Sequence, residues 1–245
     1  MTIFKKIINQ TLNKVKDNHI IVDESIRFKI DLSKLKKLNE SSVLINLKNK
    51  NIGDYGNHNH LSDLLHQATA KTINDQEKKY IHHYTCHDED ANKNYSERLN
   101  HSLINGTALH DHDQKIHDTI MKHAKPSGYS FHLFSGVKRN FKKMSEESGS
   151  DTFHFPAHTS TTHDIEIAYE FASKKRDDKN NMHLIHIHVK PQDKVLHISR
   201  FSENPYEHET ILPAGTTLKY HGTTTEKRGK YFTQHIHHMT IHSQK

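Results

Sequence analysis

At "KPSGY", residues 125–129, the spacing of apolar residues changes period. Before it, "HLSDLLHQATAKTI" (60–73), "DQEKKYIHHYT" (75–85), "DEDANKNYSERLNHSLI" (88–104) and "DHDQKIHDTIMKHA" (111–124) read as helices. Their apolar residues recur three and four apart, as on one helix face. Asp75, Asp88 and Asp111 or Asp113 are the expected N-caps. After it the period is two, the signature of half-buried strands. The expected strands are "SFHLFSGV" (130–137), "TFHFPAHTS" (152–160), "HLIHIHV" (183–189), "KVLHIS" (194–199), "HETIL" (208–212), "TTLKYHG" (216–222) and "YFTQHIHHMTIH" (231–242). One helix, "DIEIAYEFASKK" (164–175), interrupts them, with Ile167, Phe171 and Ala168 expected to face inward. Helices first and strands after give an α+β fold: a helical lobe followed by a mixed, mostly antiparallel β-sandwich core. No repeat period is present.

Residues 1–55 read as a separate N-terminal extension, and 56–245 as one domain with a helical lobe at 60–125 and a β core at 128–245. In the extension, Ile3, Phe4, Ile7, Ile8, Leu12 and Val15 follow helical spacing. Strand-like "HIIVDESIRFKI" and an Asn/Gly-rich linker, "NLKNKNIGDYGNHNH", come after. Lys and Asn interrupt the first apolar run, so a signal peptide is not expected. No uninterrupted apolar stretch is long enough for a membrane-spanning helix. Cys86 is the one cysteine, which excludes an internal disulfide and a zinc site needing several thiolates. The net charge of +6, with histidine neutral, is compatible with nucleotides or RNA as partners and requires neither.

There are 26 histidines. His186 and His188 alternate with Ile185, Ile187 and Val189; His235 and His237 form a similar pair. Such i, i+2 pairs can ligate metal. With so many histidines chance pairs are inevitable, so these are expected on solvated strand faces, with no metal site. Cys86 has histidine neighbours, but adjacency in sequence does not make a catalytic dyad.

Two stretches carry the chemistry. "FPAHTSTTHDIEIAYEFA" (155–172) ends a strand in the hydroxyl cluster Thr159–Thr162 and begins a helix. "ENPYEHETILPAGTTLKY" (203–220) sets Glu207 and Glu209 either side of His208. On a strand, residues i and i+2 share a face, so two like charges would sit together while His208 points away. Taken alone, the hydroxyls read equally as a helix cap, and the glutamates as a solvated pair on an edge strand.

In this order the two stretches resemble the arginine–serine–glutamate class of mono-ADP-ribosyltransferases. The likeness is to the Alt and Mod enzymes of T-even-type phages and to bacterial ADP-ribosylating exoenzymes, over about residues 60–245. "TSTTHDIEIAYEFA" looks like the family's Ser-Thr-Ser strand and Ala-x-x-Phe helix, and "EHETILPAGTTLKY" like its Glu-x-Glu motif and Pro-x-Gly-Thr turn.

The resemblance implies NAD as substrate, no metal, and ADP-ribose transfer to an arginine of a host bacterial protein. Glu209 would stabilise the sugar cation, Glu207 would prepare the acceptor, and Ser160 would orient Glu209. Thr161, Thr162, Gly136 and Phe171 would complete the cofactor site, and Phe201 or Tyr206 would be the exposed aromatic that reads the acceptor. The first motif departs from the pattern. "LFSGVKR" (133–139) has Ser135 where many members have the arginine that clamps the NAD phosphates, leaving Arg139, with Lys138, to reach them. The implied setting is a phage protein in the host cytoplasm, acting on transcription or translation proteins, with NAD-linked RNA a compatible donor. The alternatives are an inactive binding or virion protein of the same fold, and a secreted toxin.

Overall fold

The structure, a computed structural model, describes residues 59–88, 93–128, 130–176, 180–228 and 230–244. The expected helix and strand-like run of the N-terminal extension lie outside them. Helices α1 (Asn59–Ala70) and α2 (Asp75–Thr85) are followed by a two-strand ladder of β1 (His87–Asp88) and β2 (Lys93–Asn94). Then come α3 (Tyr95–Asn105), α4 (Asp111–His123), β3 (Lys125–Pro126), β4 (Phe131–Val137), α5 (Phe141–Ser148), β5 (Thr152–Phe155) and β6 (Thr159–Thr162). The chain continues through α6 (Ile165–Lys174), β7 (Asn181–Val189) and β8 (Lys194–His197). Two 3-10 turns, Ser199–Phe201 and Pro205–Glu207, lead to β9 (Glu209–Leu212), β10 (Thr216–Arg228) and β11 (Phe232–Ser243). Nine strands are ordered β3-β8-β9-β6-β4-β7-β11-β10-β5. Among the described ladders only β7 with β11 is parallel.

The caps differ from expectation. Asn74 starts α2 with a reciprocal capping box to Glu77, and Asp75 is already inside the helix. The expected helix at 88–104 begins only at Tyr95, because Asp88 pairs in the small ladder instead. Asp113 is not a cap either. It is fully buried and takes two bonds from Arg98, at 2.7 and 2.8 Å, which ties α4 to α3. The run "TFHFPAHTS" makes two strands, β5 at the sheet edge and β6 next to β9, because the chain turns away at Pro156.

In α6 the buried residues are Ile165, Ala168 and Ala172, not the expected Ile167 and Phe171. The helix lies so close to β4 that a Cβ on Gly136 would stand 2.3 Å from Ala172 N and 2.6 Å from Ala168 O. Small residues on the helix and glycine on the strand allow that approach.

Strands β4 and β6 pair at one position, Phe134 opposite Thr162, so the sheet divides there into two halves. Val195 and Leu212 of one half and Leu133, Ile185, Ile187, Leu218, Met239 and Ile241 of the other join one apolar core, making a sandwich. On its other face, the β8–β9 half sets Leu196, Ile198 and Ile211 against Ile81, Tyr84, Leu99, Ile116 and Ile120 of the helical layer.

The histidines are not on solvated faces. His183, His186, His188, His237 and His238 are all buried. A neutral imidazole offers one donor and one acceptor, so the rings link in series. His186 bridges His132 and His238 at 3.0 Å each, and His238 reaches Thr224. His183 meets His237 at 3.1 Å, and His237 meets Thr223. Burial pushes His66, His158 and His237 from 6.5 down to about 3, and His186 and His197 well below 6.5.

These groups are neutral when folded and protonate near 6.5 when unfolded. Their stability contribution is therefore complete above pH 6.5 and is lost as pH falls from there toward 3. Each group removes up to about 1.4 kcal/mol per pH unit in that window. Urea unfolding at pH 7, 5.5 and 4.5 should show a steep fall in midpoint; a constant midpoint would contradict the buried neutral rings.

Candidate active site

Glu209 opens β9 opposite Thr162, and Ser160 lies opposite Ile211. Facing pairs put Glu209, Ser160, Thr162 and Ile211 on one side of these strands, toward the helical layer. Glu209 is buried, 8% exposed as a residue. Burial raises its pKa to about 7, and the nearby Glu207 charge adds to that, while hydrogen bonds from Ser160 and Ser202 pull it back down. A carboxyl poised there exchanges its proton near neutrality.

The helical layer reaches this carboxyl through Tyr84. Its phenol, fully buried, is pushed up to about 12 by burial and by the Glu209 charge, so it keeps its proton. The Tyr84 hydroxyl lies 3.5 Å from both Ser160 Oγ and Asn100 Nδ2. Asn100 also grips the backbone of His158, donating to its carbonyl and accepting from its N–H, both at 3.1 Å. That fixes the chain one residue before β6.

Glu207 is not on a strand with Glu209. It ends a 3-10 turn, and His208 takes a left-handed conformation, φ 48°, before β9 begins. Such a conformation costs a non-glycine residue about 1–2 kcal/mol. The i, i+2 face rule therefore does not apply, although the two carboxylates still sense each other. Burial raises the Glu207 pKa, and the Lys174 ammonium opposes that rise.

At the division of the sheet, Ser135 Oγ donates to Ser160 O at 2.9 Å, joining β4 to β6 where their ladder has stopped. The Gly136 carbonyl accepts from Lys175 Nζ at 3.0 Å. Lys175 has an exposed residue surface overall, but its ammonium end is tucked against the strand. Burial and then the Lys138 charge lower its pKa, while Glu97 opposes this. Lys174 and Lys175 hold their ammoniums 5.3 and 5.9 Å from the Phe171 ring centre. Arg139 lies exposed in the segment after β4.

Glu209, Glu207, Ser160, Ser135, Gly136 and Phe171 are thus brought together. The hydroxyls of Thr161 and Thr162 are engaged within the scaffold. Thr161 faces the other side and donates to Thr210 O, and Thr162 Oγ1 accepts Asp164 N at 2.9 Å to start α6. Phe201 packs half-buried on the helical core, whereas Tyr206 is 87% exposed and is the aromatic that faces solvent. Tyr84, Asn100, Ser202 and Lys175 were missed. Their sequence signals are those of an amphipathic helix, a loop and a helix end, with nothing to distinguish them. Cys86 closes α2, and burial with the Glu203 charge raises its thiol pKa, the opposite of an activated nucleophile.

One histidine group has metal-like proximity. His66, His163 and His197 bring ligand atoms within 4.8 Å of one another, and the Nε2 atoms of His66 and His197 are buried without a partner. Thr210 Oγ1 meets His197 Nδ1 and His163 Nε2 at 2.8 and 3.2 Å. However, Ser199 N donates to His66 Nδ1 at 3.0 Å. Neutral His66 must then carry its proton on Nε2, where a cation would need a bare nitrogen. The tautomer does not fit a three-histidine metal site.

No protein-family model and no curated protein matches the sequence. Solved structures do match. Plx2a, an ADP-ribosyltransferase toxin from Paenibacillus larvae, has 13% identity and a TM-score of 0.56, over 75% of this chain and 94% of its own. The fold is that of the ADP-ribosyltransferases. The Clostridium limosum C3 exoenzyme aligns over 79% of this chain and 96% of its own, with 17% identity and a TM-score of 0.55. BECa, the ADP-ribosylating toxin of a Clostridium perfringens binary enterotoxin solved with NADH, aligns over 74% of this chain and 47% of its own, with 14% identity and a TM-score of 0.55.

Carboxyl NMR of the protein labelled at glutamate should show one group titrating near pH 7, assigned to Glu209 by its loss in Glu209→Gln. Ser160→Ala should move it upward, because a bond that favours the ionised form is removed. An ordinary glutamate midpoint would contradict the buried environment.

Proposed function

We propose that this chain is an NAD-dependent mono-ADP-ribosyltransferase that moves ADP-ribose to an arginine of a bacterial host protein and releases nicotinamide. The observation that carries the proposal is Glu209, a buried carboxyl held by serine hydroxyls with Glu207 beside it, in a fold shared with such enzymes. In the reaction, the bond from ribose C1′ to the nicotinamide nitrogen breaks, and nicotinamide leaves neutral with the bonding electrons. Ionised Glu209 stabilises the positive charge that develops on the sugar, as carboxylates do in glycoside hydrolysis. Glu207 takes a proton from the acceptor guanidinium as its nitrogen bonds to C1′, a step needed because arginine is otherwise always protonated.

Neutral nicotinamide departs from a cationic precursor, so no metal is needed. Lys175, bonded to the Gly136 carbonyl and sensing the Lys138 charge, shares the Phe171 ring with Lys174; these three and Arg139 are the cations assigned to the donor's diphosphate in this reading. The NADH bound to BECa supports a dinucleotide at this fold's site. Tyr206 reads the acceptor. Residues 56–245 form the catalytic domain and 1–55 an extension, and the setting is a phage protein in the host cytoplasm. Ser135 in place of the arginine favours a second reading: an inactive binding or virion protein. The toxins among the structural neighbours favour a secreted role.

Labelled NAD with bacterial lysate should label a protein. Glu209→Gln should reduce that label by on the order of a thousandfold; unchanged labelling would remove the enzymatic reading. The wild-type rate should fall about tenfold per pH unit below pH 7, as the Glu209 carboxylate takes up its proton. Glu207→Ala should abolish transfer and leave slow NAD hydrolysis, and equal loss of both would contradict the division of roles. Arg139→Ala and Lys175→Ala should each raise the KM for NAD with little change in kcat. A change in only one of them identifies the diphosphate contact.

A further inference from the structure

The loop between β8 and β9 has two unlike halves. Its first half is tied to the helical layer by three hydrogen bonds from separate residues. Ser199 N donates to His66 Nδ1 at 3.0 Å, His82 Nδ1 meets Phe201 O at 3.0 Å, and Glu203 N donates to Thr85 Oγ1 at 2.9 Å. A carbonyl can only accept, so His82 carries its proton on Nδ1. Thr85 Oγ1 donates in turn to His82 O at 2.8 Å, so both α2 anchors belong to one helix end. The second half closes mostly on itself. Asn204 N reaches back to Ser202 Oγ, Glu207 N bonds Asn204 O, and His208 N bonds Pro205 O. It carries Glu207 and the exposed Tyr206.

We propose that His82 and Thr85 are positioning residues for the acceptor step. They pin the root of the loop so that Glu207 stays beside Glu209 and Tyr206 is presented outward. The inference rests on the ADP-ribosyltransferase reading. It assigns acceptor geometry to the last turn of α2, which carries no acidic residue. Ser202, inside the pinned half, is buried and bonds Glu209, but Ser160 on β6 bonds it as well, so the donor carboxyl keeps a partner outside the loop when the root loosens. Loosening the root should therefore affect the acceptor step far more than the donor step.

The enzymatic test uses the full chain with poly-arginine as acceptor and follows two rates, transfer to the polymer and nicotinamide release without acceptor. His82→Ala and Thr85→Val should each lower transfer about fivefold, the effect of losing one ordinary hydrogen bond. Nicotinamide release and the KM for NAD should change less than about twofold, the scatter of a neutral substitution. His82→Asn, whose amide can donate from nearly the same place as Nδ1, should restore most of the transfer. Parallel loss of both rates, or failure of His82→Asn where His82→Ala fails, would overturn the proposal.

A second measurement needs no activity. Hydrogen exchange should show the Glu203 amide protected in the wild type and exposed in Thr85→Val, with the β9 amides unchanged. A Glu203 amide already unprotected in the wild type rules out the latch alone. A wild-type chain that releases no nicotinamide overturns the enzymatic reading and the acceptor role together.

Discussion

Between β4 and β6 the ladder is reduced to one paired position, and the arrangement of the candidate site follows from that economy. A fully paired β4–β6 edge would continue the sheet and set Ser135 opposite Thr161 and Gly136 opposite Ser160. Instead ladder pairing is absent after Phe134 and before Thr162, and a side chain supplies the next link, from the Ser135 hydroxyl to the Ser160 carbonyl. The shared apolar core holds the two halves together despite that interruption. The same interruption leaves Gly136 free to accept the end of α6 at a distance no side chain would allow. That contact brings the end of α6, with Phe171, Lys174 and Lys175, against β4.

The core around this cleft is unusually rich in neutral imidazole. Burying a polar ring costs least when its nitrogens find partners, and the series His132–His186–His238–Thr224 provides them across four adjoining strands. The group behind Glu209 is less complete, since His66 and His197 each leave an Nε2 without a partner. Thr210, the next residue after Glu209, bonds His197 and His163 on that hidden side. The strand that presents the carboxyl is thereby held from behind by imidazole and from the front by serine.

Much of the fold was legible because burial follows period. Strands β4, β7 and β11 alternate or run apolar as buried strands must, and α2 and α4 show one apolar face each. The caps were not legible, since aspartate serves equally as a cap, as a first-turn residue or, like Asp113, as a buried ion-pair partner. The histidines were misjudged for a related reason: a chain with a thin apolar complement fills its interior with neutral rings, and composition alone reads them as surface. The hydroxyl cluster and the glutamates stood out by motif. Tyr84 and Asn100 did not, because their place beside Ser160 arises from helix docking between residues far apart in the chain.

The left-handed turn at His208 also separates two design problems. Had both carboxylates belonged to one regular strand, any insertion before β9 would rotate Glu207 to the opposite face. With the backbone reversing at His208, the segment from Asn204 to Glu207 can change length or composition while β9 keeps its register with β6 and β8. Variation in that segment is thereby uncoupled from the placement of the buried carboxyl.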